Sequence, residues 1–427
     1  MLKGESFYPA AMRLKPHFLC VALATCISGP LLAAEPPDFG KLHLPDIELL
    51  VSEHNRPLIA SRRATMAAQA NVDIASARPN PILSLNTSGI NAKREARNSN
   101  LDSILRVDLP IERGGKRELR LGVAGALLEG SLSDEADSLR QQRLLAFQAY
   151  FDLKAAEERE RINSESARLA HQVLVKAQLR LKAGDLSPAD VARILTDTLR
   201  ADGDASQAAV DHRRARLAFA QLIAAESEAP RLATSGPWPD LAPLPSEKAM
   251  LEMRPDVIAA QRRLDAAEKF IDLAKAQQTR DVTIGAQIER NNQDRDANLI
   301  GVGVSIPLFT GYDFRGEIRR AYVDRDSARD ELERIKAMAA GESSQFIFEA
   351  ERQSERARHL RDEALPAAHR ASAAVQLAFN QGAASVLDVI DARRSLYAVE
   401  IDTTNALAEA AKARAAWAAA TNHQELP

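Results

Sequence analysis

Val282-Thr283-Ile284-Gly285-Ala286-Gln287-Ile288-Glu289 and, after a polar gap, Ile300-Gly301-Val302-Gly303-Val304-Ser305-Ile306-Pro307-Leu308 decide how this chain folds. In the first run Val282, Ile284, Ala286 and Ile288 alternate with Thr283, Gly285, Gln287 and Glu289. In the second, Ile300, Val302, Val304, Ile306 and Leu308 alternate with smaller or more polar neighbours. A strand sends successive side chains to opposite faces, so each run reads as a strand with one apolar and one hydrophilic face. Each is close to the ~10 residues that cross a bilayer at a tilt, with one face on lipid and the other on water. A half-buried hairpin on a soluble domain would read the same locally. The surroundings decide, because the rest of the chain is long helix that offers no layer to cover these strands.

An earlier pair carries the same signal. Ile82-Leu83-Ser84-Leu85 opens a strand, a polar loop runs from Asn91 to Asn100, and Leu105, Val107, Leu109 and Ile111 then alternate with Arg106, Asp108 and Pro110. The likeness extends along the chain. Arg56-Pro57 recurs as Arg254-Pro255, and Gly184, Ser187, Asp190 and Val191 recur as Gly382, Ser385, Asp388 and Val389, all at an offset of 198 residues. Leu109-Pro110-Ile111 returns as Ile306-Pro307-Leu308, one residue out of step. The chain thus reads as two copies of one unit, each a helix, two strands and two long helices. A helix is expected from Pro45 to about Ala77, and another from Lys116 to Lys182, with Leu132, Leu139, Ala146 and Leu153 as a seam at spacing seven. The latter would run about 100 Å at 1.5 Å per residue. Prolines 230, 237, 239, 243 and 245 exclude a helix between the copies and mark an extended crossing segment. The expected divisions are 1–34 as a leader, 35–228 and 246–427 as the repeats, and 229–245 as the linker.

Composition narrows the classes. Aromatic residues are only 4% of the 427, and the formal net charge of −3 leaves no footprint for nucleic acid. Arg13 and Lys15 precede the apolar run Phe18 to Ile27, and Leu31-Leu32-Ala33-Ala34 offers small residues before Glu35, so the start reads as a signal peptide cleaved near Ala34. Lipidation at Cys26 is a poorer fit, since Thr25 precedes it. Both cysteines, Cys20 and Cys26, lie in this leader, so the mature chain would hold no thiol. No later stretch reaches the ~18 apolar residues of a membrane helix. If the protein spans a membrane, it does so with strands. Four strands cannot close a barrel, and open edges are not tolerated in lipid, so at least two chains must contribute; dimer and trimer both remain open on this ground.

Catalysis finds no support. Gly301-Val302-Gly303 has Ile306 where a dinucleotide loop needs a third Gly, and Gly114-Gly115-Lys116 lacks the rest of a phosphate loop. The histidines from His43 to His423 are scattered, so neither a metal site nor any cofactor is expected.

The order of elements, with Arg254-Pro255-Asp256-Val257, Ser305-Ile306-Pro307-Leu308-Phe309-Thr310-Gly311 and Asp388-Val389-Ile390-Asp391-Ala392, resembles the TolC-like outer-membrane efflux family over nearly the whole mature chain. Ile111-Glu112-Arg113-Gly114-Gly115-Lys116-Arg117 is similar to the branch serving cobalt, zinc and cadmium pumps. The resemblance implies a mainly α chain with a small β part. Three copies would make a homotrimeric α/β-barrel channel, with twelve strands in the outer membrane and long coiled-coil helices in the periplasm. It implies three partners besides outer-membrane lipid: further copies of itself, a periplasmic adaptor (membrane fusion) protein, and an inner-membrane pump of the RND type. The expected role is a passive exit duct for heavy-metal cations or drugs; type I protein secretion and a periplasmic adaptor are the alternatives. The adaptor is expected at two tips, Gly184, Leu186, Ser187 and Gly382, Ala384, Ser385, where Gly stops one helix and Ser caps the next. Asp388 and Asp391 match aspartates that line the aperture in the family, and Arg193 is a candidate partner of Asp391 in the closed state.

Overall fold

The computed structural model describes residues 38–89, 102–244, 251–291 and 297–421; the leader and the Asn91 to Asn100 loop lie outside these. The first copy contains α1 (Leu44–His54), α2 (Arg56–Ser76), β1 (Ile82–Ser88), β2 (Asp102–Ile111), α3 (Lys116–Lys182) and α4 (Pro188–Leu222). The second contains α5 (Pro255–Ala276), β3 (Val282–Asn291), β4 (Ala297–Ser305), α6 (Arg315–His359), α7 (Leu365–Asn380) and α8 (Val386–Thr421). The protein is thus mainly helical with one small sheet. No described helix is long and apolar enough to cross a membrane.

Three expectations are corrected. The helix expected from Pro45 to Ala77 is two, because Pro57 cannot donate a backbone hydrogen bond and Asn55 turns the chain. The Asn55 side chain accepts from Leu58 N at 3.0 Å and donates to the Leu222 carbonyl at 2.9 Å. The last strand stops at Ser305 rather than Leu308. Ser305 pairs with Thr283, one residue from the start of β3, and Pro307 has no N–H with which to carry the ladder further. Finally, the long helix of the second copy contains a π turn, Leu360–Ala364, between α6 and α7. Pro366 lies just beyond it and leaves the Asp362 carbonyl without its usual donor; a widened turn absorbs that mismatch.

The sheet order is β1-β2-β3-β4, antiparallel throughout, so β2 of one copy pairs with β3 of the other. Register aligns the alternation across all four strands. Leu83, Val107, Ala286 and Val302 form one cross-strand row, and Leu85, Leu105, Ile288 and Ile300 the next. These side chains stand on one face with little cover; Val302 is 87% exposed.

The seam on α3 divides. Ala146 and Leu153 are fully buried, whereas Leu132 and Leu139 are exposed, because the main core gathers around the middle of α3. There Phe147, Tyr150 and Phe151 meet α1, Phe219 of α4 and Ala411 and Ala415 of α8. The proline-rich crossing segment is pinned to the same place. Tyr150 donates its hydroxyl to Ser235 O at 2.7 Å, and Lys154 donates to Gly236 O at 2.7 Å while lying 5.2 Å from the Trp238 ring. Burial pushes the Tyr150 phenol up to about 12 and the Lys154 amine down. The Tyr150 phenol therefore stays a donor to its carbonyl throughout the neutral range.

Arg254, 2% exposed, fixes the entry to the second copy. Its guanidinium donates to Asp256 at 2.6 Å and to Glu342 of α6 at 2.9 Å. Arg254→Ala is expected to cost roughly 2–4 kcal/mol, less than a fully buried pair because both acids reach solvent. Thermal or denaturant unfolding of the assembled protein checks this, and Arg254→Lys should recover only part of the loss because Lys cannot hold both acids through a planar fork.

Candidate functional site

Opposite its apolar face, the sheet presents a hydrophilic one built by alternation. Arg106 Nε lies 2.9 Å from both Asp108 oxygens, and Nη1 donates to Gln287 Oε1 at 3.4 Å. Gly285 is directly opposite Asp108 and beside Gly303 in the ladder. A Cβ at Gly285 would lie 2.4 Å from Asp108 Oδ1 and 2.8 Å from an Arg106 nitrogen. The glycines that weaken this strand as a strand former therefore make room for a charged pair. The pair itself was not singled out from sequence, although Arg106 and Asp108 alternating with Leu105 and Val107 was the available signal.

At the far ends of the long helices the two tips have the same construction. Gly184 and Gly382 have φ of 83° and 79°. Asp185 N donates to Arg180 O at 2.9 Å, and Ala383 N to Ala378 O at 2.8 Å, the helix-ending bonds that such a glycine permits. Ser187 Oγ accepts from Asp190 N at 3.1 Å, and Ser385 Oγ from Asp388 N at 3.2 Å. Ala384 is half-buried at its turn. Leu186 packs against a buried cluster of Leu174, Ala177, Ile194 and Ile390, which draws the two tips together. Leu186 is therefore a structural contact of the turn as well as a surface residue.

Asp388 answers its cap reciprocally. The Ser385 backbone N–H and hydroxyl each donate to its carboxylate at 2.8 Å, and these bonds hold the carboxyl below the usual aspartate range. Asp391 has no such duty, and its side chain is 64% exposed. Arg193 is exposed too, and the structure does not join it to Asp391 within the chain. The cation beside Asp391 is Arg394, three residues on, at 3.9 Å. Arg394 also donates to Asp197 of α4, with Nε at 2.7 Å, so it ties α8 to α4 one turn above the tips. This bridge was missed from sequence because the residues lie 197 positions apart. Between α3, α4 and α8 at this level lies a cleft of about 290 Å³ bordered by Asp197, Arg200, Asp204, Arg393, Arg394 and Tyr397.

His212, 7% exposed, lies between Glu160 on its Nδ1 side and Glu157, 3.8 Å from Nε2. The two ring nitrogens face different carboxylates, which suits an ion-pair bridge better than coordination of one ion. Among the described residues no group of three or more His, Cys, Asp or Glu is placed to hold a metal.

Comparison with known proteins agrees with this architecture. The family described as outer membrane efflux protein matches residues 248–423. The cobalt-zinc-cadmium resistance protein CzcC of Cupriavidus metallidurans is 26% identical over 414 residues, covering 90% of this chain and 94% of that one. Among solved structures, CusC superposes with a TM-score of 0.75 at 16% identity, over 90% of this chain and 93% of that one. VceC of Vibrio cholerae gives 0.71 at 18% identity, over 88% and 95%. The second copy of the chain thus resembles the outer membrane efflux protein family, and most of the chain shares the fold of these solved channels.

Proposed function

We propose that three copies of this chain close a twelve-stranded barrel and form the passive exit duct of a tripartite efflux pump. In this reading a periplasmic adaptor and an RND-type inner-membrane pump deliver heavy-metal cations to it. The observation that carries the reading is the two-faced sheet. Among the described residues its apolar rows have no cover, its opposite face holds Arg106, Asp108 and Gln287, and its edge strands β1 and β4 each pair on one side only. Unpaired edges are excluded from hydrocarbon, so closure by further copies satisfies the backbone and the apolar face together. Similarity to CzcC along nine-tenths of the chain supports metal cations as cargo. The two repeats, 35–228 and 246–427, would then give six tips per trimer for the adaptor to meet.

The face assignment is tested by a pair of substitutions at similar depth. Val302→Lys puts a charge on the apolar face and should lower barrel stability by roughly 2–4 kcal/mol near the midplane, with loss of trimer from outer-membrane fractions. Gln287→Lys, on the other face, should assemble normally. Equal assembly of the two would refute a lipid-facing row.

At the tips we assign the aperture charge to Asp391 ahead of Asp388, whose carboxylate is occupied by Ser385. Three Asp391 side chains near a common axis would attract cations. In planar bilayers, Asp391→Asn should reduce cation selectivity and block by multivalent cations before any further change from adding Asp388→Asn. Unchanged selectivity and block in the double variant would remove the ring. For adaptor contact, Ala384→Trp should abolish metal efflux while trimers persist, and normal efflux would remove that surface.

The Asp388 cap also has a pH signature. Its folded-state pKa is depressed, so its contribution is complete above the unfolded aspartate value of about 3.9 and is lost as pH falls through the lower folded value. Hydrogen-exchange protection of the first turn of α8 should hold from neutral pH to about 5 and fall only below about 4. Loss near neutrality would point to another group.

A further inference from the structure

At the end where the strands meet the helices, the apolar face of the sheet gives way to a rim of cations. Arg78 lies four residues before β1, Arg113 two residues after β2, and Arg280 two residues before β3, and all three are exposed. Among the described residues the Arg78 and Arg113 side chains have no ion-pair partner, whereas the nearby Lys116 and Arg120 are matched to Asp281 and Glu112. Arg280 lies 5.6 Å from the Phe309 ring. Phe309 meets Phe314 edge-on at 5.2 Å, and Tyr312 lies 5.5 Å from Phe314, so an aromatic cluster shares the rim.

At the foot of β1 and β2 this rim opens into a cleft of about 320 Å³. One side is cationic: Arg78, and Arg117, whose Nε is anchored on the Ser76 carbonyl at 2.6 Å. The other is hydrocarbon: Pro79, with Leu109 and Ile111, the last outward side chains of the apolar row on β2. Glu118 also borders it, largely exposed and 3.8 Å from Arg117, which leaves Arg78 as the uncommitted cation.

We propose that this rim is a headgroup site for phospholipid of the inner leaflet. Arg78, with Arg113 and Arg280 as its continuation, takes the phosphodiester, while Leu109 and Ile111 take the first carbons of an acyl chain. The inference rests on the sheet being in the membrane. A free phosphate would match the guanidiniums but leave Leu109 and Ile111 wet, and an apolar ligand would leave the charges unmatched. A phospholipid satisfies both at the depth where its headgroup lies, alongside the ring cluster expected at a bilayer interface. The site would fix how deep the duct lies.

The test uses the full-length protein, purified as its membrane assembly in neutral detergent doped with phosphatidylglycerol, with retained lipid counted by native mass spectrometry. The wild type should retain phosphatidylglycerol, and inorganic phosphate at equal concentration should not displace it. Each of Arg78→Gln, Arg113→Gln and Arg280→Gln should weaken retention about fivefold. Leu109→Ser should weaken it as well. If a Gln variant does not assemble, the comparison of wild type with Arg78→Lys stands in, and Lys should retain most of the lipid. Retention unchanged in the Gln variants overturns the site, as does displacement by inorganic phosphate, which would mean a free-anion site. Outer-membrane fractionation reads the duct separately: correct location with unchanged lipid retention removes the headgroup site alone, and a wild-type chain absent from the outer membrane removes the duct reading.

Discussion

The constraint on which everything else depends is the register between β2 and β3. It sets Leu105 against Ile288, Val107 against Ala286 and Leu109 against Ile284, residues about 180 positions apart in sequence. Side chains alternate with a period of two, so a slip of one residue would move every apolar side chain of one copy to the other face and bring Arg106 and Asp108 with it. Only the observed register gives one face fit for hydrocarbon and one fit for water. It also places Gly285 opposite Asp108, where any side chain would collide with the charged pair. The polar face and the apolar face are thus two results of a single alignment.

That alignment requires the long helices to leave the sheet side by side and stay together. They do so with small residues rather than large ones. Along α8, Ala406, Ala410, Ala411, Ala415 and Ala418 are essentially buried, while the main aromatic core lies around Phe147, Tyr150, Phe219 and Trp238. Small side chains let helix backbones approach closely, and dispersion over many such contacts replaces a thick core. The crossing segment is held there by hydrogen bonds to its carbonyls from Tyr150, Lys154 and Arg414. Prolines deprive it of donors, so its acceptors are met by side chains from both copies.

Much of this was legible because period and punctuation are local signals. The alternation at Leu105 to Ile111 and at Val282 to Ile288 gave the strands, and Gly184-x-x-Ser187-Pro188 gave the first tip with its caps. The misses share a physical cause. Asn55, the end of β4 at Ser305 and the π turn near Pro366 depend on which backbone partners are in reach, and partners come from tertiary structure. The bridge from Arg394 to Asp197 is of the same kind, since neither residue carries a local pattern. Leu186, read as a tip residue for the adaptor, also packs on the cluster around Ile194 and Ile390, a contact with no local signal.

The comparison of the two copies bears on how charge at the tips divides between structure and conduction. Read as equivalents, Asp190 and Asp388 occupy the same place, and each meets the hydroxyl of its own Ser cap. A feature needed to start both helices explains both residues without reference to a channel. One turn further the equivalence fails: Arg193 corresponds to Asp391, Thr196 to Arg394, and Asp197 to Ser395. What one copy offers as Asp197 the other meets with Arg394, so the difference between the copies forms the bridge between α4 and α8. Asp391 then lies beside a cation already engaged elsewhere, at 3.9 Å against the 2.7 Å that Arg394 keeps with Asp197. Its charge is tethered but not consumed. In the proposed trimer, that would leave one incompletely matched carboxylate per chain near the tips, which a helix-capping requirement alone would not produce.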